Sequence, residues 1–170
     1  MNNHSVTLCT ILVEKSPQAL PLGAACIASS IKTLSSDFND LKVNLVDFNL
    51  EQKLSVEKIT NDLLCYDSAI YCFSIFVWNK NLLLEVASEL KKKNSKIICI
   101  AGGPEVTANP KSFLDFDFVI SGEGEIVTKN LIKRILNNDI PTEKIFYGKR
   151  EALENLTSPY LDKTLNPKKY

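Results

Sequence analysis

Paired glycines and neighbouring carboxylates mark the stretches of this chain able to hold a ligand. Gly102, Gly103, Pro104 and Glu105 close an apolar run at residues 97–101 (IICIA), and Gly122, Glu123, Gly124 and Glu125 follow a second run at residues 116–120 (FDFVI). Glycine at the end of a buried strand either removes a side chain that would block a ligand or supplies a turn with positive φ, and the residues alone leave both uses open. Glu123 and Glu125 stand where a helix begins. There they complement the positive end of its dipole and repel phosphate, so the turn suits a ligand offering donors, such as amides or ribose hydroxyls. A dinucleotide fits poorly: its fingerprint needs a third glycine where Val127 stands, and it belongs after the first strand. Two further segments interrupt apolar runs, Leu20, Pro21, Leu22 and Gly23, and then Ser74, Ile75, Phe76, Val77, Trp78 and Asn79. An aromatic placed like Trp78, at the opening of a helix, more often plugs a core than meets a ligand.

The residue inventory argues against several other chemistries. The only histidine, His4, precedes the first strand, so a triad or zinc site built on histidine inside the fold is not expected. Cys9, Cys26, Cys65, Cys72 and Cys99 lack the short spacings of metal ligands and sit mostly among apolar neighbours, which suits reduced packing residues in a cytoplasmic protein. Lys plus Arg and Asp plus Glu both number 20, so no net field draws the chain toward nucleic acid or anionic lipid. The basic runs at Lys91, Lys92, Lys93 and at Lys168, Lys169 fit a helix end and a solvated tail. No apolar run approaches membrane-spanning length, and residues 1–4 lack the regions of a signal peptide. With 45% hydrophobic and 24% charged residues, the 170-residue chain suits one soluble domain with a core of its own.

The elements that must position these residues follow from periodicity. Residues 6–13, 41–47, 68–76, 97–101 and 116–120 are β-branched or aromatic runs that read as five strands. Between them, helical spacing links Leu20, Ala24, Ile27, Ala28, Ile31 and Leu34, then Val56, Ile59, Leu63 and Leu64 with Ser55 as N-cap, then Leu83, Val86, Ala87 and Leu90 with Asn79 as N-cap. Residues 107–114 read as a short helix disturbed by Pro110, and Ile126, Val127, Leu131, Ile132, Ile135 and Leu136 stripe a last helix. Residues 145–147 are a candidate edge strand, and residues 151–170 read as a polar arm after a domain spanning 1–150. Strands alternating with helices specify a doubly wound α/β domain, a Rossmann-like or flavodoxin-like five-stranded parallel sheet with right-handed crossovers and helices on both faces. Ligands of such sheets bind at the carboxyl ends of the strands, where every unusual loop above lies. FMN would want a phosphate loop of Ser, Thr and Gly after the first strand, and a receiver domain would want acidic residues where Glu14 and Ser74 stand; neither fits well.

Taken together and in order, the 20–23 loop with Ala28, then Asp47, Phe48 and Asn49, the 74–79 segment, 102–105, 122–125, and finally Ser158, Pro159, Tyr160 and Leu161 resemble the N-terminal cobalamin-binding domain of B12-dependent radical SAM proteins. The Gly-Gly-Pro-Glu run followed by an apolar strand and Gly-Glu-Gly-Glu is the specific part. This resemblance implies a base-off cobalamin whose nucleotide tail threads between strands. Gly102, Gly103, Pro104 and Glu105 would border the tail, Ser74 would hydrogen-bond the base, and Gly122, Glu123, Gly124 and Glu125 would meet ribose or corrin amides. The lower face of the cobalt would be left to water, to the apolar loop around Leu20 and Leu22, or to Phe76 and Trp78, with Pro21, Gly23, Ile75 and Val77 counted among the cofactor-binding residues. The methionine-synthase type of domain carries a cobalt-ligating His in a D-x-H-x-x-G loop after its first strand; none stands here, so no protein imidazole is expected on cobalt. A bulky residue at Gly103 is expected to abolish cofactor retention without unfolding. The resemblance further implies a parent enzyme, a methyltransferase using methylcobalamin, whose radical SAM domain holds a 4Fe-4S cluster and S-adenosylmethionine. The C-x-x-x-C-x-x-C loop of such a core is absent, so this chain is expected to carry the cofactor and catalyse nothing. The rival reading is a non-catalytic flavodoxin-like interaction or small-ligand domain in which the glycine runs only shape turns.

Overall fold

The first strand, β1 (Ser5–Leu12), is buried along its whole length, as an apolar run with both faces covered must be. The structure is a computed structural model describing residues 4–169; the amino-terminal residues 1–3 and Tyr170 at the end of the arm lie outside the described residues. The remaining strands are β2 (Lys42–Asn49), β3 (Ile70–Ser74), β4 (Ile98–Gly102), β5 (Phe118–Gly122) and β6 (Ile145–Gly148). The helices are α1 (Leu22–Lys32), α2 (Val56–Leu64), α3 (Lys80–Lys93), α4 (Pro104–Ala108) and α5 (Glu125–Leu136). Among the described residues the strands form one parallel sheet in the order β2-β1-β3-β4-β5-β6.

Alternate residues of each strand point to opposite faces, and each face has its own core. Leu8, Ile70, Cys72, Ile100 and Ile120 pack with Ala28 and Ile31 of α1 and with Leu131 and Ile135 of α5. On the other face Cys9, Ile11, Tyr71, Phe73, Cys99 and Val119 pack with Ile59 and Leu63 of α2 and with Leu83, Val86 and Leu90 of α3. The chain winds one way from β1 to β2 and the other way from β3 to β5, so a topological switch point opens between the carboxyl ends of β1 and β3.

The α/β class agrees with expectation and the strand count does not. Five strands were expected and six are present, because residues 145–148 pair in register with β5 from Val119 against Ile145 to Gly122 against Gly148. The uniform right-handed winding fails at the same place. The chain steps from β5 to β6 in the same direction as from β3 to β4, yet α5 lies on the α1 face rather than the α3 face. The β5-α5-β6 crossover therefore has the opposite hand to its predecessors, an arrangement parallel units seldom adopt. The Leu131, Ile132 and Ile135 stripe of α5 is buried against α1 and the sheet, and the residues 137–144 give the chain length to return to the edge.

Of three local readings, one holds and two shift. Ser55 caps α2 as expected, accepting a hydrogen bond from Lys58 N at 3.1 Å. Asn79 stands at the N-cap of α3 but does not cap it; its Oδ1 accepts from Phe76 N at 2.8 Å while Nδ2 donates to Ile11 O and Ser74 O. The short helix expected at residues 107–114 begins earlier, at Pro104, whose fixed φ suits a first helical position, and a separate 3-10 turn, Pro110–Phe113, follows.

The arm folds back onto α1. Asp162 accepts a hydrogen bond from Ser29 Oγ at 2.7 Å, Lys32 Nζ reaches Thr164 Oγ1 at 2.8 Å, and Lys169 pairs with Asp47 at 2.7 Å. Burial pushes the Asp162 carboxyl up, but the bonds from Ser29 and Thr164 outweigh it and hold the group below the usual aspartate range. Leu165, only 2% exposed, anchors the segment. Leu165→Ala is expected to destabilise the domain by about 2–3 kcal/mol, as truncation of a buried leucine does, read as a lowered midpoint in urea.

Candidate functional site

The carboxyl ends of β1, β3 and β4 carry a lateral row of small residues. Thr10 lies opposite Ser74, and Ser74 opposite Gly102. A Cβ added at Gly102 would meet Ile120 Cβ of β5 at 3.8 Å. One pleat repeat below, Leu8, Cys72 and Ile100 are aligned in the same way. Because this face is the one covered by α1 and α5, the row forms the floor of a space whose roof is Gly23, Ala24 and Ile27 of α1 and Gly124 and Thr128 at the start of α5. The result is a cleft of about 580 Å³, within the usual range for small-molecule sites. A second hollow of about 280 Å³ adjoins it at the switch point, between Thr10 and Leu12 of β1, the loop from Ala19 to Gly23, and Ser74, Phe76 and Trp78. Neither the Thr10 nor the Ser74 hydroxyl has a hydrogen-bond partner among the described residues.

The expected site residues divide into those brought together and those not. Gly23, Ser74, Phe76, Gly102, Gly103, Pro104 and Gly122, Glu123, Gly124, Glu125 line the main cleft, while Leu20, Pro21, Leu22 and Trp78 line the adjoining hollow. Ile75 is fully buried beneath them, and Val77 is 73% exposed. Glu105 turns aside to Lys80, with 3.6 Å between charges. Trp78 is not a core plug: it is 42% exposed, stacks on Phe76 at 4.5 Å and 12°, and donates its Nε1–H to Ile11 O at 2.8 Å. With Asn79 bound to the same carbonyl, the 75–79 loop is stitched across the end of β1.

Gly102 and Gly103 have separate duties. Gly103 adopts φ 108, and a Cβ there would lie 2.6 Å from Ile75 O and 2.7 Å from Ile75 N. Its missing side chain lets the β4 and β3 loops touch, so a bulky residue there strains the fold itself; Gly102 leaves open the passage into the cleft. Gly122, at φ 90, likewise accommodates Gly148 O, 2.5 Å from where its Cβ would stand.

Leu8, Thr10, Cys72, Ile100 and Ile120 were legible in the sequence only as core. Thr10 offered the one signal, a hydroxyl within the apolar run 6–13. Burial, with a smaller push from Cys99, drives the Cys72 thiol up to about 12, so it lines the cleft as a neutral group. Cys26, on α1, is also pushed up, by burial and then by Glu125. Among the described residues no group of three or more His, Cys, Asp or Glu converges as a metal site, and no helix is long and apolar enough to cross a membrane.

A parallel sheet wound both ways, with a largely apolar cleft rimmed by glycines over the carboxyl ends of its strands, defines a ligand-binding α/β domain. The chain belongs to the B12 binding domain family, whose model matches residues 10–132. The cobalamin-dependent radical SAM methyltransferase TokK of Streptomyces tokunonensis is 29% identical over 73 residues, 41% of this chain and 11% of that protein. The fold is shared with the cobalamin-dependent S-adenosylmethionine radical enzyme OxsB, solved with aqua-cobalamin bound, at a TM-score of 0.61 and 21% identity over 82% of this chain and 20% of that one. It is shared too with the radical S-adenosylmethionine methyltransferase TsrM of Kitasatospora setae, at 0.58 and 14% identity over 82% of this chain and 27% of that one. The chain thus spans a small part of the length of each of these relatives.

Proposed function

We propose that this domain holds cobalamin with its nucleotide tail drawn off the cobalt and lodged in the cleft, and that it does so within a radical SAM enzyme, a methyltransferase using methylcobalamin. The observation that carries this reading is the passage at Gly102, between the unpartnered Ser74 hydroxyl and Ile120, with the Thr10 hydroxyl on the far side of Ser74, opening into a largely apolar cleft. A Cβ would begin to fill that passage, and the hydroxyls suit the ring nitrogen of a base. Glu123 and Glu125, at the mouth, suit ribose hydroxyls and side-chain amides of a corrin. The residues therefore fit the group. When bound, cobalamin supplies the organometallic methyl chemistry, and this chain's residues bind and orient it.

The absence of a protein imidazole on cobalt gains support from the position of His4. It stands before Ser5, at the amino end of β1, hydrogen-bonded through Nδ1 to Asp40 at 2.7 Å. The eight residues of β1 separate it from the carboxyl edge of the sheet, where the loops form the mouth of the cleft, by roughly 25 Å. An exposed apolar loop takes the place of such a ligand at the mouth, with Leu22 and Trp78 on its rim.

Mixing the protein with hydroxocobalamin, desalting and recording the visible spectrum tests this. Retention of a base-off corrin spectrum is expected, and a colourless folded protein would refute the proposal. His4→Ala is expected to leave that spectrum unchanged; a clear shift would place the imidazole on cobalt. Substrate, the iron–sulfur cluster and S-adenosylmethionine belong to a further domain in this reading.

A further inference from the structure

The lining of the cleft changes with depth, from the Ser74 hydroxyl, with Thr10 beside it in the adjoining hollow, to the apolar level of Leu8, Cys72 and Ile100. Ile27 of α1 and Ile120 of β5 close the sides. The carboxylates of Glu123 and Glu125 remain at the loop that opens α5. Other polar groups near the cleft are engaged or shallow: Thr107 Oγ1 accepts from Gly122 N at 3.0 Å, and Thr128 Oγ1 stays near the start of α5, 3.7 Å from where a Cβ on Gly124 would stand. No amide or charged side chain lines the lower level among the described residues.

We propose that this graded lining selects among cobamides by their lower base, taking a benzimidazole and rejecting a purine. The inference rests on the cleft being the seat of the nucleotide tail, as proposed above. A dimethylbenzimidazole presents carbon all round its six-membered ring, which matches Leu8, Ile100 and Ile120, and it leaves one ring nitrogen for Ser74 or Thr10 at the upper level. An adenine presents an amine and two ring nitrogens on its six-membered ring. Against these side chains those groups would lose water and gain no partner, and an unpaired buried polar group is unfavourable. The Cys72 thiol, kept neutral by burial, is too weak a donor to compensate. The expected discrimination is about tenfold to a hundredfold in affinity, the range that one or two unpaired polar groups produce.

Three corrinoids separate the possibilities when titrated into the full chain: hydroxocobalamin, its adenine-containing counterpart, and cobinamide, which lacks the nucleotide. The readouts are the visible spectrum and the fluorescence of Trp78, the chain's single tryptophan, which stacks on the Phe76 side chain lining the cleft. Tightest binding of hydroxocobalamin, with the adenine form at least tenfold weaker, supports base selection. Equal affinity for the two complete cobamides overturns it and leaves the cobalamin reading standing. Equal affinity for cobinamide and hydroxocobalamin also overturns it, by showing that the base adds nothing. Binding of none of the three removes the function proposed above, and this inference with it. Cys72→Ser places a hydroxyl on the floor with little change in volume, and it is expected to narrow the preference several-fold; an unchanged ratio would show that the floor does not meet the base.

Discussion

Gly102→Phe will abolish retention of hydroxocobalamin and leave the domain folded. The reason is local. Gly102 ends β4 with its missing side chain directed between Ser74 and Ile120, and a Cβ there meets Ile120 only at ordinary contact distance, 3.8 Å. The backbone therefore accepts a side chain, and a phenyl ring takes the space through which a nucleotide tail must pass. A ligand that has to displace a packed ring meets overpacking of about 1–3 kcal/mol and also loses its own contacts. Together these weaken binding by at least about a hundredfold, close to 3 kcal/mol. The ring itself lies over Ile100 and Ile120, so the urea midpoint is expected to stay near that of the parent protein. Full retention of cofactor by a folded Gly102→Phe protein would show that the tail lies elsewhere.

Gly103→Val will have the opposite profile, with a large loss of stability. Its φ of 108 disfavours any side chain, and a Cβ would press on the Ile75 backbone at 2.6 Å. Ile75 N donates to Gly102 O at 2.7 Å and Glu105 N to Ile75 O at 3.3 Å, so relief of the clash breaks the stitching between the β3 and β4 loops. A β-branched residue in this conformation stores about 1–3 kcal/mol of backbone strain alone, and the clash and lost bonds bring the expected loss to about 3 kcal/mol or more. Urea denaturation reads this as a lower midpoint at similar slope; unchanged stability would refute the assignment. The pair of substitutions separates two neighbouring glycines that look interchangeable in the sequence. Only Gly102 is a clean probe of the ligand, because losses at Gly103 mix binding with folding.

Most of the helices and strands were legible because each buries a face of simple period. The strand runs around Cys9, Phe73 and Ile100 needed cover on both sides, and Ser55 announced α2 by its capping chemistry. Asn79 misled because an N-cap position does not oblige a side chain to cap; here its amide is drawn to Ile11 O and Phe76 N, where the loops cross. Residues 145–147, a candidate edge strand in the sequence, do form the edge of the sheet, yet the expected count stopped at five strands. Ile145 and Phe146 are only half-buried, and winding rules lead the helix before them to the other face, whereas α5 lies with α1. The polar arm hid Leu165, since one buried leucine between Thr164 and Asn166 carries no periodic signal.

By itself the sequence determined the class of fold, the end of the sheet where a ligand would bind, and the glycine runs that shape that end. These depend on local backbone preference and on apolar periodicity, which each segment carries without its neighbours. Only the tertiary structure decided which glycine opens the cleft and which holds two loops together, because a missing Cβ takes its meaning from what stands opposite, Ile120 or the Ile75 backbone. It also decided that Leu8, Cys72 and Ile100 line a cavity and not merely a core. That distinction depends on how far α1 and α5 stand apart over the sheet, a distance set by small residues at their starts and by packing along their length.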